Sequence, residues 1–276
     1  MKKVVCVLCC FLCLALLSCG TANKKKKHKK PEPEQTEDVD EESETGITEN
    51  GIHNLPNGDR YIGGFKDHKK YGEGEYIYAN GDRYKGFFEN GHYNGQGELT
   101  LKDGTHYIGE FKDGLRNGQG TLTFPSGARY EGSFKDDMME GEGVFRFPDE
   151  REYRGNFTKN VRHGHGVMIF PSGAEYEGDF NHDKRSGKGK MTYRNGTVYE
   201  GDFVDGKREG VGKLTKENGD VYEGDFENDA MNGIGKYTAS DGTVTYGSWN
   251  DGKLEKRLPL PESEEEEEDS EEESEE

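Results

Sequence analysis

The sequence predicts an all-β fold: an elongated single-layer antiparallel sheet of consecutive 23-residue β-hairpin repeats, with a disordered tether before it and a disordered acidic tail after it. Three observations predict this. Tyrosine returns at one fixed interval, at Tyr61, Tyr84, Tyr107, Tyr130, Tyr153, Tyr176, Tyr199 and Tyr222, with glycine two positions on and phenylalanine four positions on in all eight copies. A Gly-x-Gly pair follows each phenylalanine at a fixed distance, and a turn dipeptide precedes the next tyrosine. Only 29% of the chain is hydrophobic, too little for a two-layer core, yet 31 of its 41 glycines fall on four repeat positions. So strict a period marks an array of one supersecondary unit, and glycine placed by a period serves backbone geometry.

The chain begins with Met1-Lys2-Lys3 and a continuous apolar run, Val4 to Leu17. Fourteen apolar residues suit the h-region of an export signal better than a membrane span. The run ends Leu16-Leu17-Ser18-Cys19-Gly20, which resembles the lipobox of bacterial lipoproteins. That resemblance implies removal of residues 1–18 as a signal peptide, diacylation of Cys19 and anchoring of the exported chain to a bacterial membrane, at the periplasmic face of the inner membrane or on the outer membrane. An ordinary cleaved signal and an uncleaved anchor are the alternatives. All five cysteines lie in the first nineteen residues, so an exported body would fold without disulfides.

Residues 19–50 read as a tether. Six lysines and a histidine between Lys24 and Lys30 are suited to anionic headgroups or to a solvated spacer. Nine acids then follow in residues 31–50 with no basic residue, and like charges keep such a stretch extended. The tail, 261–276, holds twelve acids in its last fifteen residues. A formal net charge of −19 makes nucleic acid an improbable partner.

The array occupies residues 51–260. In Tyr61-Ile62-Gly63-Gly64-Phe65 the first, third and fifth side chains share one strand face. Gly72 and Gly74 open the return strand. The same reading applies to Tyr107, Gly109, Phe111, Gly118 and Gly120, and to Tyr176, Gly178, Phe180, Gly187 and Gly189. The third residue after Phe is Gly, Asn or Asp in seven of eight copies, which marks the hairpin turn. A second turn, such as Asn80-Gly81 or Ser172-Gly173, joins each hairpin to the next, so neighbours are antiparallel. Copy four has Asp149-Glu150 there, and a strained or wider turn is expected. Glycine between Tyr and Phe lets rings lie over the backbone, with the Gly-x-Gly pair as the facing flat patch. The intervening Glu, Lys, Thr, Arg and Asp form a solvated face. Sixteen strands at about 4.8 Å would make a ribbon about 80 Å long. Half-copies cap the ends: Gly51, Ile52, Leu55 and Asn57-Gly58 at the start, and Gly247 with Trp249 on the Phe position at the finish. Leu254, Leu258 and Leu260 are expected to cover the last edge.

This pattern resembles the MORN (membrane occupation and recognition nexus) repeat, over residues 51 to about 252. The resemblance implies a sheet of consecutive hairpins that serves as scaffold, dimerisation element or attachment module. Lipid binding has been proposed for some members of that family.

No residues stand in a catalytic pattern, and no cofactor or small-molecule substrate is expected. His163-Gly164-His165 lacks a third ligand at metal spacing. The Asn-Gly-Asp turns at 57–59, 80–82 and 218–220 lack the alternating acids of a calcium loop. The sequence therefore reads as a non-enzymatic, lipid-anchored scaffold at the cell envelope, with protein partners and self-association as its contacts. The alternative is binding of membrane lipid or envelope polysaccharide through rows of aromatic rings. The two differ in whether those rings are exposed or packed on the neighbouring hairpin.

Overall fold

The computed structural model describes residues 50–261. The expected export signal, Cys19, all but the last residue of the expected tether and all but the first of the acidic tail lie outside the described residues. Within them the fold is all-β, an open antiparallel sheet of nineteen strands. Among the described residues there is no helix. Each repeat supplies a seven-residue strand carrying Tyr-x-Gly-x-Phe, as Glu175–Asn181, and a nine-residue strand carrying Gly-x-Gly, as Lys184–Thr192. The packing divides into two compact units. Among the described residues, one comprises 50–97 with Phe111–Leu115, the other Glu98–Glu110 with 116–261.

Two-residue loops close the hairpins. Their first residue, from Asp67 to Asp251, takes φ of 47° to 51°, and the second is also left-handed, as at His68 (60°), Gly91 (83°) and Asp183 (68°). Positive φ at both positions is the type I′ geometry, whose twist matches that of the strands. Single Asp and Asn residues tolerate it best, because their short side chains bond the local backbone. The second loop residue also donates its N–H to a carbonyl of the preceding hairpin, as Gly91 to Lys70 at 3.0 Å in the first unit and Asp183 to Arg162 at 3.1 Å in the second. Each hairpin end is thereby tied to the hairpin before it.

The joining turns are three-residue loops with glycine in the left-handed region. Gly173 N–H donates to Phe170 O at 2.8 Å, and Phe170 N–H to Ala174 O at 2.9 Å. Copy four is strained but no wider. Glu150 takes the glycine's place at φ 67°, and its N–H still reaches Phe147 O at 3.1 Å.

In each unit the register aligns glycines into a row across the strands. Gly63 pairs Gly74, which pairs Gly86. In the second unit the row runs Gly166, Gly178, Gly189, Gly201, Gly212, Gly224, Gly235 and Gly247. Beside it the tyrosines pair with Leu, Met, Phe or Tyr, as Tyr176 with Met168 and Met191.

The ends differ from one another. His53 of the first strand packs edge-on against Phe65 at 4.8 Å, while Ile52 stays 61% exposed. Trp249 takes the last phenylalanine's place, 5.5 Å from the Tyr222 ring, and donates its indole N–H to Gly235 O at 3.0 Å. Leu254 sits opposite Trp249 in the final strand, Lys253–Arg257. Leu260, expected to cover that edge, is instead 55% exposed, because Pro259 and Pro261 on either side of it have no N–H for a strand ladder.

A non-glycine residue in the left-handed region costs about 1–2 kcal/mol, against about 0.5–1 kcal/mol for the extra chain entropy of glycine. Glu150→Gly is therefore expected to stabilise the protein by about 0.5–1 kcal/mol, read as a raised denaturation midpoint at unchanged m-value. A lowered midpoint would show that the side chain contributes more than the backbone strain costs.

Candidate interaction surface

The aromatic face is built around one contact. Each repeat tyrosine folds back over the glycine two positions on and over the second glycine of the following Gly-x-Gly pair. A Cβ placed on Gly178 would lie 2.6 Å from Tyr176 Oη, and one on Gly189 would lie 2.5 Å from the same atom. The hydroxyl then donates to the carbonyl three positions ahead: Tyr61 to Gly64 at 2.9 Å, Tyr107 to Glu110 at 2.9 Å, Tyr176 to Asp179 at 3.0 Å. All eight tyrosines are at most 1% exposed. Burial pushes the phenols of Tyr61, Tyr153, Tyr176, Tyr199 and Tyr222 up to about 12.

The two glycines of Gly-x-Gly have separate tasks, a correction to their reading as one flat patch. Gly74, Gly120 and Gly189 lie under the rings, but Gly72, Gly118 and Gly187 do not. The first glycine of every pair takes φ between 59° and 94°, at a β-bulge where the strand register shifts. One glycine is required by contact, the other by backbone conformation.

Phenylalanines stand edge-on to the tyrosines on both sides. Tyr61 touches Phe65 at 5.3 Å and Phe88 at 5.1 Å. Tyr84 reaches Phe111 at 5.1 Å, and Tyr176 lies between Phe180 at 5.2 Å and Phe203 at 5.0 Å. Alternation of this kind satisfies the ring quadrupoles.

Arginines cover this face, and the sequence reading, which assigned arginine to the solvated side, missed them. Arg162 lies opposite Phe157 in the ladder. Its guanidinium sits 5.7 Å from the Tyr153 ring and 5.6 Å from the Phe180 ring. Its Nε donates to Asp183 Oδ1 at 2.9 Å, its Nη2 to Asp183 O at 2.8 Å, and its backbone N–H to Asp183 Oδ1 at 3.0 Å. Arg116 with Asp137 and Arg208 with Asp229 repeat the arrangement. Arg116 is only 3% exposed. The legible signal was an arginine on the return strand of one hairpin together with an aspartate in the loop of the next.

The opposite face is charge-paired across strands: Lys188 with Asp202 at 2.8 Å, Lys190 with Glu200 at 2.8 Å and Lys213 with Glu223 at 2.9 Å. His165 lies there between Glu177 (3.8 Å) and Asp179 (3.6 Å), and His163 packs on His182. Among the described residues no group of three or more such side chains is arranged to hold a metal ion. In the Asn-Gly-Asp turns the carboxylates accept protein donors. Asp59 takes the Tyr76 hydroxyl at 2.7 Å and Ala79 N–H at 2.8 Å, and Asp220 takes the Tyr237 hydroxyl and Ser240 N–H. The Tyr237 hydroxyl, with Asn218, holds the Asp220 carboxyl down at about 2.

A protein-family model described as MORN repeat matches residues 61–83, 84–106, 107–129, 130–150, 153–175, 176–198, 199–221 and 222–244. No curated protein matches the chain. Among solved structures, the TCP domain of Drosophila melanogaster SAS-4 (dCPAP), in complex with a proline-rich motif of Ana2 (dSTIL), is 10% identical, with 72% of this chain and 90% of that one covered at a TM-score of 0.34. The G-box domain of the microcephaly protein CPAP is 16% identical over 76% of this chain and 99% of that one, at a TM-score of 0.33. The TCP10 domain of Danio rerio CPAP is 16% identical over 72% and 100%, at 0.25. Scores this low add nothing to the geometry above.

Ring burial makes the sheet sensitive to alkali. Burial holds the five phenols named above at about 12, against an ordinary value near 10, and raises those of Tyr84, Tyr107 and Tyr130 as well. Their stabilisation is therefore complete below pH 10 and is lost as pH rises towards 12, because the unfolded chain releases protons that the folded chain keeps. Tyrosinate absorbance from the repeat tyrosines is expected to rise together with loss of the β-sheet circular dichroism signal in that window. Ionisation with the sheet signal intact would contradict ring burial. The arginine clamp is tested separately. A double-mutant cycle of Arg162→Gln and Asp183→Asn is expected to give a coupling of about 1 kcal/mol, discounted for partial exposure of both groups. Additive effects would mean that the pair contributes nothing beyond its parts.

Proposed function

The chain belongs to the MORN-repeat family, whose arrays are interaction or membrane-association modules, and from that premise we propose that it is a non-catalytic scaffold, lipid-anchored at Cys19 to a bacterial membrane and exported to the envelope. The observation that carries the scaffold reading is the burial of the repeat rings. Tyr and Phe at the repeat positions are packed on neighbouring hairpins and, apart from the half-buried Phe65 of the first copy, are almost fully buried. Rings used in this way offer no stacking surface to a sugar. What each repeat presents outward is instead a set of side chains that changes from copy to copy on a constant backbone. Such a surface suits protein partners, because weak contacts at regular spacing add up to avidity.

Anchoring rests on the sequence around Cys19. The apolar run of residues 4–17 followed by Ser18-Cys19 reads as an export signal ending at an acylation site. Two or three acyl chains would hold the protein far more firmly than one, at roughly 0.8 kcal/mol per buried methylene. The Lys24–Lys30 segment would then lie close to the headgroups.

The test compares wild type with Cys19→Ala in detergent-solubilised cells. Metabolic lipid label and membrane fractionation are expected for wild type and absent from the variant, while protein partners captured on the repeat array are retained by both. Label persisting in Cys19→Ala would overturn the anchor. Retention of liposomes or envelope polysaccharide by the array, without protein partners, would overturn the scaffold.

A further inference from the structure

The charge pairing of the outer face breaks at its C-terminal end. In successive repeats the register sets Lys190 opposite Glu200 and Lys213 opposite Glu223, and the pairs close to 2.8 Å and 2.9 Å. One repeat later Lys236 has Glu223, already engaged by Lys213, on one side and Tyr246 on the other, where earlier copies place a second carboxylate. The neighbouring acid position, filled by Asp202 and Asp225 in earlier copies, is Ser248. Ser248 in turn faces Lys256 of the final strand, and Asn250 faces Lys253. Arg257 ends that strand opposite Gly247, in the row on the aromatic face, and so stands on the other side of the sheet. Lys236, Lys253 and Lys256 are exposed, and among the described residues none of the three forms an ion pair. Glu255, the acid within the strand, is engaged by the Asn250 amide at 3.1 Å.

The chain that follows is rich in acids. Residues 262–276 contain twelve Asp and Glu and no Lys or Arg. Lys236 lies two strands from the final one, about 10 Å across the sheet, and fifteen residues extend up to about 50 Å. We propose that Lys236, Lys253 and Lys256 form a binding site for an acidic peptide, and that its resident occupant is the chain's own segment 262–276, docked in cis. Tethering gives that segment a millimolar effective concentration, so a string of individually weak ion pairs suffices. The docked segment lies beside the final strand, whose outer edge is otherwise open to pairing with another chain. An acidic partner segment must displace it.

Carbodiimide coupling, which joins a carboxylate to a lysine amine at contact distance, tests this on the full chain with peptide mapping. Links from Glu262–Glu276 are expected to concentrate on Lys236, Lys253 and Lys256 over Lys188, Lys190 and Lys213. They are expected to fall several-fold at 1 M salt, where the screening length shrinks to about 3 Å, and in the Lys236→Glu/Lys256→Glu variant with the remaining lysine Lys253. In a mixture of isotopically heavy and light protein every link should join like with like. A synthetic peptide of residues 262–276 should bind the chain truncated after Pro261 and not the full chain. Links spread evenly over all the lysines would overturn the proposal. So would heavy–light hybrids, which assign the tail to a second copy, or equal peptide binding by both forms.

Discussion

A tyrosine ring laid flat on backbone that has no side chains is the contact on which the rest of this structure depends. It needs three things from each repeat: a tyrosine, a glycine two positions on, and a second glycine directly across the ladder. A methyl group at Gly178 or Gly189 would stand 2.6 Å or 2.5 Å from the phenol oxygen of Tyr176, closer than any packed atom can approach. In return the hydroxyl finds a carbonyl three positions ahead in its own strand. A ring and its polar tip are both buried without leaving an unmet donor. This is how a sheet without a second layer keeps its aromatic residues out of water.

The joints between repeats are not all alike. Arg116–Asp137, Arg162–Asp183 and Arg208–Asp229 clamp the next hairpin loop by a forked guanidinium and a backbone N–H. Between them lie joints of a lighter kind. Met139 N–H donates to Asn160 Oδ1 at 2.8 Å, and the Arg185 guanidinium, over the Tyr176 and Phe203 rings, donates to the carbonyl of Gly206 with no carboxylate in the fork. Stability in a repeat array is close to a sum of units and interfaces. Alternating strong and weak interfaces therefore group these hairpins in pairs within the second unit. Opening in that unit should begin at the lighter joints.

Much of the architecture was legible from spacing alone. The hairpin strands, both sets of turns and the role of Trp249 on the Phe position follow from a period that no insertion breaks. What sequence could not resolve was which physical demand each glycine answers. Gly72 and Gly74 are the same residue two positions apart, yet one is fixed by a left-handed φ and the other by a ring above it. Arginine was misplaced for a related reason. Its charge argues for water, but a long stem can lie on aromatic rings while the guanidinium reaches the turn of the following hairpin. Nothing within a single repeat shows that. Glu150 was legible as an exception, and the turn around it kept its form because the hydrogen bonds on both sides outweigh one unfavourable φ.

The same economy bears on what the array can do. Positions that repeat without change are consumed in holding hairpins together, so a partner cannot be recognised through them. Recognition must fall to positions that differ between copies. The central residue of Gly-x-Gly passes from Glu73 and Gln96 through His165 and Lys188 to Val211 and Ile234, all at one place on the strand. Val211 and Ile234 are 60% and 40% exposed, where the earlier copies carry polar groups. The sheet thus offers different chemistry along a backbone that stays constant, which is what the proposed scaffold requires.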